Sequence, residues 1–106
     1  MNTAKVCAIR ARIVLADLTH CGTVANADTF PLGIGCVAAY ARKHLGDVID
    51  VDLFKFPDDL DRSLKANRPD VFGITNYSWN ANLSNAFAKH VRERYPNTVI
   101  VMGGPN

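Results

Sequence analysis

Apolar residues along this chain fall into two kinds of stretch. Four are short and either unbroken or alternating, and three are longer, with apolar positions recurring every three or four residues; the first kind reads as strand and the second as amphipathic helix. In residues 11–18, Ile13, Val14, Leu15 and Ala16 follow one another without a break, the pattern of a strand covered on both faces, and Asp17 stands where that strand should end. Residues 48–56 differ. After Val48 and Ile49, the polar Asp50, Asp52 and Lys55 interleave with Val51, Leu53, Phe54 and Phe56, as on an edge strand with one less buried face. Pro69 halts what precedes it, and the run from Val71 to Thr75 reads as a third strand buried on both sides. Val99, Ile100, Val101 and Met102 make the fourth, within residues 98–102.

The helical stretches lie between these strands. Pro31 opens the first, in which Ile34, Val37, Ala38, Ala41 and Leu45 share one face; Gly46 then follows Lys43 and His44 as an expected left-handed cap. Pro57, Asp58 and Asp59 begin a short second helix, carrying Leu60 and Leu64 one turn apart and ending near Asn67. Residues 80–94 form the third, with Leu83, Phe87 and Val91 at a spacing of four, Tyr95 continuing the stripe, and Pro96 and Asn97 closing it. The order β-α-β-α-β-α-β calls for right-handed crossovers and a parallel sheet. The fold class expected is α/β, a Rossmann-like (flavodoxin-like) sheet of strand order 2-1-3-4, without the fifth strand and last helix of the complete form. Its fourth strand would be a bare edge, so self-association through that edge or the exposed face of the first helix is expected.

One connection is out of proportion. From about Thr19 to Phe30 the residues are small and polar without period, a dozen where strand-to-helix loops take roughly two to six. It follows the first strand, hence lies at the ligand end of the sheet, as do Thr75, Asn76, Tyr77, Ser78, Trp79 and Asn80 after the third. That second cluster pairs flat aromatic surface with hydrogen-bonding groups, although Tyr77 and Trp79 could equally be packing residues.

Composition narrows the function classes. One hundred and six residues, 48% hydrophobic and 21% charged, suit one domain over residues 10–106 behind a leader at 1–9, large enough for a core but small for an enzyme carrying its own cofactor. A net charge of +2 with interspersed signs gives no reason to expect nucleic acid. No apolar run approaches a membrane span and the start has no signal-peptide core, so a cytoplasmic location is expected. The cysteines Cys7, Cys21 and Cys36 show neither a disulfide framework nor zinc-ligand pairs nor an iron-sulfur triplet; Cys36 reads as a small core residue.

Several motifs invite chemistry and have plainer readings. Gly33-Ile34-Gly35-Cys36-Val37-Ala38 satisfies the G-x-G-x-x-A dinucleotide fingerprint, but the dozen-residue loop separates it from the strand it should follow, and close helix packing explains both glycines as well. Asp17 sits where a phosphoacceptor could stand, yet a receiver domain would place its acceptor after the third strand, where this chain has Asn76; Asp17 can instead hydrogen-bond nearby backbone or loop groups. His20 is the one histidine in a plausible ligand loop, without an evident second ligand beyond Cys21, while His44 and His90 read as helix-surface residues.

Three segments taken together carry a family resemblance. Pro31-Leu32-Gly33-Ile34-Gly35 with Ala38-Ala39-Tyr40, Pro69-Asp70-Val71-Phe72-Gly73-Ile74-Thr75 with Tyr77 and Trp79-Asn80, and Val101-Met102-Gly103-Gly104-Pro105 resemble the amino-terminal cobalamin-binding domain of radical S-adenosylmethionine (radical SAM) enzymes. The resemblance covers residues 10–106 and implies cobalamin held at the carboxyl ends of the strands. On it, the long first loop with Asp17, Thr19 and His20 makes room for the cofactor, Thr75, Asn76, Tyr77, Ser78 and Trp79 line the site, and Gly103 and Gly104 allow close backbone approach. Another branch of cobalamin domains carries Asp-x-His-x-x-Gly; in Asp17-Leu18-Thr19-His20-Cys21-Gly22 that histidine is replaced by Thr19 and His20 is displaced by one, so cobalamin without a lower histidine ligand is the carry-over, and no residue is assigned as a metal ligand. An iron-sulfur cluster and S-adenosylmethionine would belong to a downstream radical SAM domain, the expected partner. This stretch is expected to bind and orient rather than catalyse. The competing readings are a flavodoxin-like signalling or interaction domain without cofactor and a nucleotide-binding fragment.

Overall fold

The computed structural model describes residues 10–18 and 32–104. The expected leader and the whole of the long loop from Thr19 to Phe30, His20 included, lie outside the described residues. In chain order the elements are β1 (Ala11–Ala16), α1 (Leu32–Leu45), β2 (Ile49–Phe54), α2 (Pro57–Ala66), β3 (Val71–Thr75), α3 (Ala81–Arg94) and β4 (Val99–Gly103). The strands form one sheet in the order β2-β1-β3-β4, every pair parallel. This is the flavodoxin-like α/β arrangement that the alternation of apolar patterns predicts.

Strand alternation divides the core in two. Val14, Ala16 and Leu18 project from β1 and its exit to one face, joined by Phe72 and Ile74 of β3, and there Leu60 and Leu64 of α2 and Val91 of α3 cover them, with Leu83, Phe87 and Tyr95 packed alongside. On the opposite face Ala11, Ile13 and Leu15 meet Ile49, Val51 and Leu53 of β2 beneath Ala38 and Ala41 of α1. The register sets Leu15 opposite Gly73, where an added Cβ would stand 2.8 Å from Leu15 Cδ2, so a side chain of one strand lies across the bare backbone of the next.

Four details depart from the sequence reading. Val37 and Leu45 are exposed rather than on the buried face, and Cys36 is exposed rather than in the core, because α1 covers only β1 and β2 and meets them through Ala38 and Ala41. Gly46 is not left-handed; what it avoids is a Cβ 2.5 Å from the Arg42 carbonyl oxygen. An added Cβ at Gly33 would meet nothing, so close packing does not account for that glycine. Finally, Val71, Gly73 and Thr75 are only half-buried, since among the described residues no helix lies over β3 and β4 on the α1 side.

The two sheet edges are treated differently. Outward-facing carbonyls of β2 are capped by guanidinium groups, Ile49 O by Arg10 Nη2 at 2.6 Å and Val51 O by Arg42 Nη2 at 2.5 Å. Along β4, by contrast, Val99, Val101 and Met102 are exposed.

Candidate functional site

Parallel strands release their chain at one rim, and three of those exits lie side by side because β1, β3 and β4 are consecutive in the sheet. At the first exit the Asp17 backbone continues the ladder, its N–H donating to Phe54 O at 3.0 Å, and its carboxylate accepts a hydrogen bond from the Thr75 hydroxyl at 3.1 Å. At the third exit the Asn76 N–H donates to Gly103 O at 2.6 Å, so β4 stays paired to β3 to the last residue of the strand. Gly104 then turns with φ +113°, and an added Cβ would stand 3.0 Å from Asn76 O. Only glycine takes that conformation at that distance without strain.

The β3 exit forms the middle of the rim. Tyr77 and Trp79 stack with ring centroids 4.6 Å apart and planes 11° from parallel, and Trp79 is 57% exposed. Their outer surface is thus a flat aromatic plate next to polar groups. Ser78 is exposed beside them. Asn76 Oδ1 is shielded from solvent yet has no hydrogen-bond partner, an acceptor whose desolvation is uncompensated unless a donor reaches it.

Asn80 holds this turn together. It occupies the N-cap position of α3, where an asparagine side chain ordinarily caps the helix, but it makes no capping bond there. Its Oδ1 accepts from the Tyr77 N–H at 2.8 Å, its Nδ2 donates to Leu18 O at 3.0 Å, and the residue is 1% exposed. Ser84, one turn on, donates from Oγ to Thr75 O at 2.7 Å. Sequence reasoning placed Asn80 in the cluster without giving it a role and passed over Ser84. The legible signal was an Asx residue three positions after Tyr77; that its amide turns back to β1 is a tertiary fact.

Of the residues expected at the site, the structure therefore brings together Asp17, Thr75, Asn76, Tyr77, Ser78, Trp79, Gly103 and Gly104 along one rim, while Thr19 and His20 lie outside the described residues. Among the described residues no three His, Cys, Asp or Glu side chains are grouped as a metal site, and no helix is long and apolar enough to cross a membrane. A cleft of about 570 Å³ lies elsewhere, along the β2 edge between Arg10, Arg12, Arg42, Asp50 and Asp52. Its arginines are engaged in pairing with Asp50, Ser63 and the edge carbonyls, which makes it part of the edge capping rather than of the rim.

The model of the B12 binding domain family matches residues 19–106. This chain belongs to that family. The B12-binding domain is also similar to the cobalamin-dependent radical SAM methyltransferase TokK of Streptomyces tokunonensis, 47% identical over 38 residues, a match covering 36% of this chain and 6% of that protein. The B12-binding domain thus spans only a small part of that relative's length. Family membership supports cobalamin as its cofactor and is consistent with the flavodoxin-like sheet.

Proposed function

We propose that this domain holds cobalamin at the carboxyl rim of its sheet and presents it to a radical SAM domain of a larger enzyme. The observation that carries the reading is the meeting of three strand exits at one rim, joined through Asp17 with Thr75 and through Asn76 with Gly103, in a chain of the B12-binding family. The residues present suit the cofactor. The Tyr77–Trp79 plate offers a flat apolar surface to a macrocycle, Asn76 Oδ1 offers an acceptor to an amide N–H of its periphery, and Gly104, turning against the Asn76 backbone, keeps the β4 exit beside them. Asp17 keeps the β1 exit tied to Thr75.

When bound, cobalamin supplies a cobalt centre able to carry a methyl group or take part in radical chemistry; the iron-sulfur cluster and S-adenosylmethionine belong to the partner domain. This chain's own part is binding, orientation and exclusion of water. The likeness to a radical SAM methyltransferase supports the partner domain and methyl transfer as one reaction class.

The test is co-migration. After incubation with hydroxocobalamin, the corrinoid absorbance should travel with the protein on gel filtration, both for this chain and for a longer chain extended at its carboxyl end. Loss of the cofactor from both would replace the proposal with a cofactor-free interaction domain of the same fold.

A further inference from the structure

We infer that Asn80 is a positioning residue that locks the aromatic plate to the β1 exit, so that the two walls of the rim are set by one side chain. The binding part of this inference rests on the cobalamin reading; the geometric part does not. Asn80 and Tyr77 close a turn on each other, since the Asn80 N–H donates to Tyr77 O at 3.3 Å while the Tyr77 N–H donates to Asn80 Oδ1 at 2.8 Å. From the same carboxamide, Nδ2 reaches across the sheet to Leu18 O at 3.0 Å, 62 residues away in sequence. Leu18 is 1% exposed, so its carbonyl has little access to water as a substitute donor.

A carboxamide is suited to this place because it donates and accepts at once. Aspartate has the same shape and keeps the bond from Tyr77, but it sets an oxygen against Leu18 O where a donor stood. Leucine loses both bonds. The two substitutions therefore separate the closure of the turn from its tie to β1. Thr98 supplies the control: it is buried and donates to Pro69 O at 2.6 Å, at the opposite end of the sheet, so Thr98→Val removes a buried hydrogen bond without touching the rim.

Trp79 is the only tryptophan of the chain, so its near-ultraviolet circular dichroism and fluorescence report the stack with Tyr77 directly, without cofactor. Asn80→Leu is expected to abolish the near-ultraviolet signature and Asn80→Asp to retain it. In equilibrium titration with hydroxocobalamin, Asn80→Asp is expected to weaken binding by about tenfold, the scale of one lost buried hydrogen bond, and Thr98→Val by less than about twofold. In the unsubstituted protein the Tyr77 amide is expected to exchange with deuterium far more slowly than that of Ser78, a measurement that stands even where a variant fails to fold. A fast-exchanging Tyr77 amide overturns the inference, as does an unaltered aromatic signal in Asn80→Leu or equal loss of affinity in Asn80→Asp and Thr98→Val. Absence of cobalamin binding by the unsubstituted protein overturns the proposed function instead, leaving the spectroscopic and exchange arms to decide on Asn80.

Discussion

At the scale of single residues, the rim depends on a few positions where one atom more or less matters. Gly104 is the clearest. Its φ of +113° lies in a region that residues with a Cβ avoid, and the added carbon of Gly104→Ala would also press on the Asn76 backbone at 3.0 Å. Either the β4 exit swings away or the strain is stored, at a cost of about 1–3 kcal/mol. Urea denaturation of Gly104→Ala should show that loss, and the displaced exit should weaken hydroxocobalamin binding in the same variant. The glycine pair was legible in the sequence, but the close approach lies at Gly104 alone and is to the Asn76 backbone, since an added Cβ at Gly103 would meet nothing; Asp17 and Thr75 were legible as neighbours of strand ends. It could not show that Asp17 and Thr75 bond to each other or that Asn80 reaches Leu18, because those pairs are 58 and 62 residues apart and depend on which strands sit side by side.

At the scale of elements, the strands and helices were legible because each apolar pattern matches the period of the structure it forms. Phe72 and Ile74 alternate with half-buried neighbours, and Leu60 and Leu64 stack one turn apart. What periodicity missed was how much of a helix its sheet can cover. Helix α1 is apolar around more than one face, so Val37, Leu45 and Cys36 looked as fit for the core as Ala38, and only the width of the β1–β2 surface beneath it decides among them. The capping of β2 was likewise invisible in Arg10, which reads as ordinary surface charge. Its guanidinium meets Asp50 at 2.8 Å while also holding the Ile49 carbonyl, and this hydrogen bond holds the Asp50 carboxyl below its ordinary value of 3.8. A folded-state value below the unfolded one means the unfolded chain takes up the proton first as the medium is acidified. The stabilisation is therefore complete above about pH 3.8 and disappears as the pH falls through the lowered value. Denaturation midpoints of the unsubstituted chain and Asp50→Asn should differ at neutral pH, converge below that range, and converge also at high salt, as befits an exposed pair.

At the scale of the whole molecule, the asymmetry between the two edges sets how this chain meets its surroundings. The β2 edge is closed by guanidinium groups on the carbonyls of Ile49 and Val51. On β4, register assigns the inward groups to Val99, Val101 and Gly103, as the bonds from the Val99 N–H to Asp70 O and from the Asn76 N–H to Gly103 O require, so the backbone groups of Ile100 and Met102 point away from the sheet. The side chains there do not discourage pairing. Val99 is 58% and Val101 52% exposed on the α1 side of the sheet, beyond the strands that α1 covers, and no charge interrupts Val99–Gly103. Flat, uncharged apolar edges of this kind recruit another strand. The 106-residue chain is therefore expected to self-associate at high concentration through β4. Met102→Pro provides a specific test, because it removes only an N–H that points outward and leaves the bonds between β3 and β4 in place. Sedimentation velocity should show the unsubstituted chain shifting to a larger species as concentration rises and Met102→Pro remaining monomeric with an unchanged far-ultraviolet spectrum. Equal association in both would move the contact to the exposed face of α1, where Val37 and Tyr40 stand uncovered, and a lysine at Val37 would then be the variant that dissolves it.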